Sequence, residues 1–554
     1  MGYVIRRSLP SLSLLVALVL GVGFLAVGFL DAPVWFPVAF AIVILTIQYF
    51  VNPFIIQWLV PATVIPHDGE RYSTDHRVGE IVARRCRDAG VPLVTLGIVD
   101  DGTPNAFTFG RRPKDARVWI TRGLLERLDE RELDAVVTHE IGHIKHWDFV
   151  VMTVAAVVPM VLYFVYITAR GADRSEARAV AIGAYVAYLV SQLTLLALSR
   201  ARETAADHWS CACTGDGDAL ASALVKVAYG MGQADAERKN EIDALVASGK
   251  AGRAEARKRQ ARADRARSMR AMGIFEPSAA AAMSSAFAQG IDPERAVAAM
   301  RWDLANPWGR TLEKLSSHPL VARRIENLER SGLPGAPRDW SVLKAMATVP
   351  AEEVSAARAR FGFELFVAIA PWAILMAVAL FGFFTGSLAS IGLALAVAGG
   401  LLFVKQHVKY PGEFAPVPEV TGLLERLDAS PVRGIGVEVR GRIVGRGMPG
   451  YVLSPDLVVQ DGSGFVPLVY RQPVPLAREF FGLFRAQSWM GSEVVARGWY
   501  RRSPGPGVEL RDVVSVDGDN RGRRARSFQW VAAYVASGLL VVAGAVVMAF
   551  SLAI

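Results

Sequence analysis

The sequence predicts a mostly α-helical, multi-span membrane protein with soluble α+β and all-β segments attached. Three observations lead there. Of its 554 residues, 52% are hydrophobic and only 20% are charged, below the roughly 25% charge of an ordinary soluble domain. The apolar residues are gathered in long blocks, and the first two, Ser8–Leu30 and Val34–Val51, are free of Lys, Arg, Asp and Glu. The C-terminal part breaks into short alternating runs separated by Gly and Pro. This balance excludes a disordered chain, which needs low hydrophobicity and high charge. Three cysteines, Cys86, Cys211 and Cys213, exclude a disulfide-stapled scaffold. The net charge of +9 says nothing about nucleic acid until its positions are known.

The apolar blocks are Ser8–Leu30, Val34–Val51, Phe149–Thr168, Ala179–Ser199, Phe361–Phe384, Ile391–Val404 and Phe528–Ala553. A helix needs about 20 apolar residues to cross a bilayer core, so seven spans are expected, with Ile391–Val404 the shortest. The first block follows Arg6–Arg7 like a signal peptide. It is too long for one, has no A-x-A site, and meets a second span at once. Arg6–Arg7, Arg200 with Arg202, Arg358 with Arg360, Lys405 with Lys409, and Arg521–Arg526 flank spans on one common side. The positive-inside rule puts that side, and all large soluble segments, in the cytoplasm. The expected organisation is two spans in 1–60, a soluble part in 61–148, a membrane hairpin in 149–199 and a second soluble part in 200–360. A second hairpin in 361–405, a β domain in 406–526 and a last span in 527–554 follow. Lys250–Arg270, nine basic residues against two acidic ones, reads as a solvated helix that can also touch anionic headgroups.

Chemistry concentrates after Asp129-Glu-Arg-Glu132. Asp129 and Glu132 form a capping box, and Leu133, Val136, Val137 and Ile141 then recur at helical spacing. This helix carries His139-Glu140-Ile141-Gly142-His143. Histidines at i and i+4 lie about 40° apart around the axis and face one point, as two nitrogens must to hold one Zn²⁺. Glu140 stands about 100° from His139, near a metal but off the ligand face, where a general base belongs. A catalytic zinc needs a third protein ligand and an open fourth position. Glu203 and Asp207, at i and i+4 on the helix leaving the Ala179–Ser199 block, are the candidates. Glu203 can ligate while Asp207 accepts a ligand histidine's N–H. The intervening membrane hairpin would bring the two motifs together.

His139 to Asp148 (HEIGHIKHWD) followed by Ser199 to Asp207 (SRARETAAD) resembles the HtpX-like membrane zinc metalloproteases, which stand with the CaaX prenyl proteases among the gluzincins. Asn105–Gly110 resembles the family's N-A-F-x-x-G segment, and Val118–Leu125 its strand-turn before the active helix. Ser317-His318-Pro319 with Arg323, Arg324 and Ile325 resembles its [ST]-H-P…R-I ending. The resemblance covers about Val60–Arg330. It implies an α+β gluzincin domain at the cytoplasmic face with one Zn²⁺ per chain. His139, His143 and Glu203 would be the ligands, Glu140 the base and later acid, and Asp207 a support behind a ligand. His318 and Asn105 would help position substrate and steady the oxyanion. On its own His318 is also an ordinary helix-start residue, and Asn105 a turn residue after Pro104. Arg117–Thr121 is a β run, and in gluzincins such a strand offers its free edge to the peptide, so Val118, Trp119 and Ile120 are expected to bind substrate by strand addition.

His146 and Asp148 lie just past the motif and read as structural. His67, His76, His208 and His407 are assigned nothing. Cys211 and Cys213 lack a second pair for a metal site and read as small buried residues. Gly434–Arg446, Tyr451–Gln460, Gly464–Tyr470, Ser492–Arg501 and Gly507–Val516 read as strands, with Val474–Phe484 a helix between the third and fourth. That order predicts an OB-like barrel. Trp499, Tyr500, Arg501 and Arg502 would suit a nucleic-acid platform, but the segment hangs between two spans. No nucleic acid is expected as a partner, and a gating or shielding module is preferred. Protein or peptide substrates and the lipid bilayer are the expected partners. The expected function is an integral-membrane zinc endopeptidase that cleaves membrane or misfolded proteins, with Glu140 activating the attacking water. A CaaX-type protease trimming lipidated peptides, and a non-enzymatic zinc-containing adaptor, are the alternatives.

Overall fold

A computed structural model describes residues 35–73, 77–171, 175–228, 293–385, 387–446, 455–503, 505–516 and 522–553. The first apolar block and Lys250–Arg270 lie outside them. Among these residues the chain forms two units. One takes 35–228 with 311–343, the other 293–310 with 344–553.

The first unit opens with helix α1 (Trp35–Leu59), which carries the second apolar block. A four-stranded sheet follows: β1 (Thr63–Ile65), β2 (Thr95–Val99), β3 (Ala106–Phe109) and β4 (Arg117–Thr121), in the spatial order β1-β2-β4-β3. Strands β2 and β4 run parallel, with helix α2 (Arg77–Ala89) in the connection between β1 and β2. Trp119 seals the sheet against the end of α1, donating its indole N–H to Val60 O at 3.1 Å. The sheet order corrects one expectation. Strand β4 is paired on both sides, and Val118, Trp119 and Ile120 are wholly buried, so they offer no edge to a peptide. The outer strand on this side is β3, since β4 is inserted between it and β2, and β1 is the outer strand on the other side.

Helix α3 (Glu130–Lys145) starts at the expected capping box. Asp129 Oδ1 accepts from Glu132 N at 2.9 Å, and Glu132 Oε2 accepts from Asp129 N at 3.0 Å. Its apolar face, with Leu133, Val136, Val137, Ile141 and Ile144, is buried. Helices α4 (Asp148–Ala155) and α5 (Val157–Arg170) then form one apolar span of 23 residues. Helix α6 (Ser175–Thr214) has 40 residues, about 60 Å at 1.5 Å per residue. A bilayer core takes only about 30 Å. The helix therefore crosses with its first half and carries its last turns, with Glu203 and Asp207, beyond the apolar stretch. There it packs on α3, and Ser210 Oγ donates to Ala135 O at 2.7 Å. Helix α7 (Val321–Glu329) completes the unit.

The second unit has three membrane helices: α8 (Ala351–Thr385), α9 (Leu388–Lys409) and α11 (Gln529–Ala553). Helix α8 begins ten residues before the expected boundary at 361, because Ala351–Arg360 continue the helix ahead of the apolar block. Among the described residues five helices are long and apolar enough to span a membrane. Large apolar side chains such as Ile182, Phe366 and Leu539 face outward from them. Between α9 and α11 lies a β domain. Its strands are β5 (Ala415–Pro416), β6 (Ile435–Arg446), β7 (Leu457–Gln460), β8 (Phe465–Val469), β9 (Glu493–Arg502), β10 (Pro506–Ser515) and β11 (Arg524–Arg526), with a short helix α10 (Pro475–Phe480) after β8. Pairing runs β6-β7-β8-β10-β9 and back to β6, with β8 and β10 parallel, so five strands close a barrel in the order read from the sequence. Trp499, Tyr500 and Arg502 are buried, with Trp499 Nε1 donating to Pro411 O at 2.8 Å. They are core and packing residues and give no stacking platform for bases.

Gly142 sets how closely the two ligand-bearing helices approach. A Cβ there would meet Trp209 Cδ1 at 3.0 Å and the Ala206 backbone at 3.3 Å. Gly142→Val must push α3 off α6. We expect it to lower unfolding stability in detergent by about 1–3 kcal/mol and to reduce bound metal, whereas Gly142→Ala, opposed mainly by a side chain that can shift, should lose less of both. Thermal melts and metal analysis check this.

Candidate metal centre

Helix α3 presents His139 and His143 one turn apart, and α6 presents Glu203 to both. The two Nε2 atoms are 3.2 Å apart. Glu203 Oε2 lies 3.6 Å from His139 Nε2, and Oε1 lies 3.6 Å from His143 Nε2. These three groups form a cluster that fits a metal ion. Two nitrogens on a tetrahedral zinc at 2.0–2.1 Å stand roughly 3.3 Å from each other, close to the spacing here.

The other nitrogen of each ring is committed elsewhere. His139 Nδ1 faces Asp207 Oδ1 at 2.9 Å, and His143 Nδ1 faces Asp148 Oδ2 at 2.5 Å. A carboxylate only accepts, so each Nδ1 carries the proton and each Nε2 turns a lone pair inward. Two lone pairs and a carboxylate aimed at one point repel unless a cation sits among them. Burial weighs against charge on His139, yet Asp207 and Glu203 outweigh it and lift its pKa to about 9. At His143 burial wins and lowers it to about 4.

Charge balance points the same way. Glu140, Glu203, Asp207 and Asp148 are buried carboxylates, and Arg324 and Arg202 are the buried guanidinium groups among them. With both imidazoles neutral, as ligands to a cation must be, these groups would leave two uncompensated negative charges, the charge of one divalent ion; without a cation, His139 holds a proton in its place. Isolated buried charge is too costly to leave unmatched. Arg324, on α7, grips Asp207 with two bonds, Nε to Oδ2 at 2.8 Å and Nη2 to Oδ1 at 2.6 Å. Arg202 ion-pairs with Asp148.

Of the remaining candidates, Glu140 and His318 stand beside this cluster, and Asn105 lies at the head of the strand that touches Glu140. Glu140 is buried, and its Oε2 accepts from Thr108 Oγ1 at 2.7 Å. Thr108 lies on β3, so this outer strand borders the HExxH helix. His318 Nδ1 lies 3.2 Å from Glu203 Oε2. Its segment is tied to α6 by Arg200, which donates to Ser316 O at 2.7 Å. Asn105 is buried at the head of β3, and its main chain bonds Thr121, with N–H to Oγ1 at 2.8 Å and O from Thr121 N at 2.9 Å.

Three contributors escaped the sequence reading: Thr108, Asp148 and Arg324. All lie inside motifs that drew notice, but their partners are set by tertiary contact. Asp148 is reached through Trp147, a left-handed residue with φ 59°, which turns the chain back so that the first residue of the span meets His143.

A helix presenting His-Glu-x-x-His beside membrane spans, with a distant glutamate closing the triad, defines the class of a membrane metallopeptidase. Comparison with known proteins agrees. The description of Peptidase family M48 matches residues 73–331. A "Protease HtpX homolog" from Methanothermobacter thermautotrophicus is 39% identical over 184 residues, covering 33% of this chain and 69% of that one. Another from Pyrococcus abyssi is 34% identical over 229 residues, covering 39% and 76%. The solved S. mikatae Ste24p is 16% identical, with a TM-score of 0.28 over 38% of this chain and 54% of its own. The chain belongs to the M48 family of HtpX-like proteases.

Asp148→Asn should leave the helices folded by circular dichroism but lower metal affinity by about 10–100-fold, since the amide can present its N–H to His143 Nδ1 and spoil the tautomer. A competition titration against a zinc chromophore reads this.

Proposed function

We propose that this protein is a zinc endopeptidase that cleaves membrane or misfolded proteins at the cytoplasmic face. One observation carries the reading: Glu140 is held by Thr108 of the outer strand β3, directly beside the cluster of His139, His143 and Glu203. His139, His143 and Glu203 hold the metal, one per chain. When bound, a zinc ion supplies positive charge that lowers the pKa of nearby water and polarises a carbonyl.

The chain's own residues do the rest. A peptide lies along β3 as an added strand, since main-chain bonding tolerates many sequences. This role passes to β3 from the expected Val118-Trp119-Ile120 edge. Glu140 takes the proton of the attacking water and returns it to the departing amine nitrogen. Its bond from the Thr108 hydroxyl fixes one carboxylate oxygen, and the other is the one assigned to the water. Negative charge builds on the carbonyl oxygen during attack, and a donor aimed there contributes about 3 kcal/mol. His318, with its Nδ1 3.2 Å from Glu203 Oε2 at the edge of the cluster, is assigned to that oxygen, and Asn105 at the head of β3 serves beside it. Asp207 and Arg324 keep the His139 ring in register. The lipid bilayer and unstructured protein segments are the partners of this reading, and nucleic acid is not one.

Glu140→Gln is expected to retain one zinc per chain and to lose about 10²–10⁴-fold of cleavage. Glu203→Ala should lose the metal itself. Chelator should abolish proteolysis of an unfolded membrane protein, and added zinc should restore it. Turnover of a prenylated peptide in preference to the unfolded protein would redirect the substrate assignment to the CaaX type. Persistent cleavage by Glu140→Gln would refute the assigned base.

A further inference from the structure

The barrel of the second unit carries a basic cavity that the proteolytic reading does not use. It measures about 730 Å³ and is lined by Arg485, Arg523, Arg524 and Arg526 together with Trp489 and Phe528. None of the described residues lining it is acidic. Arg523 is anchored, donating to Ser488 O at 2.8 Å and lying 4.5 Å over the Trp489 ring. Arg485, Arg524 and Arg526 are exposed, and Arg524 reaches Asp512 only at 3.3 Å. Burial and the neighbouring Arg485 both lower the Arg523 pKa. Four like charges are thus gathered here, with Asp512 beside Arg524 as the carboxylate that answers them in part.

Two features say what compensates them. The rim is apolar: Leu476 is 78% exposed and Phe484 68%, with Val474, Phe480 and Leu483 also outward. This apolar face belongs to segment 474–484, which supplies Ala477 and Phe481 to the cavity wall. Chain continuity then fixes the surroundings. The membrane helix α11 starts at Gln529, three residues after Arg526, so the two Cα atoms are at most about 10 Å apart. Phe528 lines the cavity immediately before that helix. A basic pocket with a greasy lip at the mouth of a membrane helix matches a phospholipid, whose phosphate meets arginine in forked geometry while its chains meet Leu and Phe.

We propose that this cavity binds the headgroup of an anionic phospholipid of the bilayer, with segment 474–484 seated in the interface. The site thereby docks the barrel on the membrane. The inference is independent of the protease reading, and its readout is lipid retention rather than cleavage.

The test uses the full-length protein in neutral detergent, with phosphatidylglycerol or phosphatidylcholine added and retained lipid counted by native mass spectrometry. The unaltered protein should hold phosphatidylglycerol about tenfold more tightly than phosphatidylcholine. The variant R485Q/R524Q/R526Q, which spares the anchored Arg523, should lose that preference at an unchanged melting temperature. An undiminished preference in the variant overturns the site. Displacement of the lipid by inorganic phosphate or by a DNA oligonucleotide overturns the lipid as its occupant. Should the variant fail to fold, a fluorophore on Phe484→Cys in nanodiscs decides the matter. Quenching by a lipid spin-labelled near its headgroup supports the docking, and its absence refutes it.

Discussion

Burying two imidazoles with their lone pairs converging on one point is the constraint around which the first unit is built. Each ring must be held by its other nitrogen, and each holder must itself be neutralised. Asp207 and Asp148 hold the rings, and Arg324 and Arg202 answer those carboxylates. The four partners come from α6, the first residue of α4, and α7, so the site ties together elements far apart in the chain. Left without a partner, any one of these buried charges would cost several kcal/mol. The metal site and the packing of α3, α6 and α7 are therefore one energetic unit.

The membrane takes part in this geometry. Helix α6 is long enough to cross the bilayer and still deliver Glu203 and Asp207 to the HExxH helix. Asp148, the first residue of the preceding span, is also the anchor of His143. The spans bracket the HExxH helix, and their ends fix both Glu203 and one of the carboxylates that orient its histidines. Gly142 permits the contact, because its missing side chain lets α3 lie against Ala206. In the second unit the same economy places a closed barrel between two membrane helices, with its arginine cavity beside the start of α11.

Much of the site was legible in the residues. The capping box of Asp129 and Glu132, the i, i+4 histidines and the paired acids at 203 and 207 follow local periodicity, and the helices hold them as that periodicity demands. The barrel's strand order was legible for the same reason, since alternation and Gly or Pro punctuation are local signals. The edge strand was not. Arg117–Thr121 is the more regular β run, yet β2 and β3 cover both its sides and Ala106–Phe109 is left outermost. The polar run Trp499–Arg502 likewise reads as surface by composition but fills the barrel wall and its contacts.

By itself the sequence determined the elements: which stretches are apolar enough to span, which helix bears the histidines, and which acids share a face. Those properties depend on neighbours within a turn or two of the chain. Only the tertiary structure decided that Thr108 holds Glu140, that Asp148 and Asp207 divide the two rings between them, and that Arg324 neutralises Asp207. Each of those contacts is made across a fold boundary, where the partner is chosen by packing and by the cost of unmatched buried charge, and neither is written in the spacing of residues along one segment.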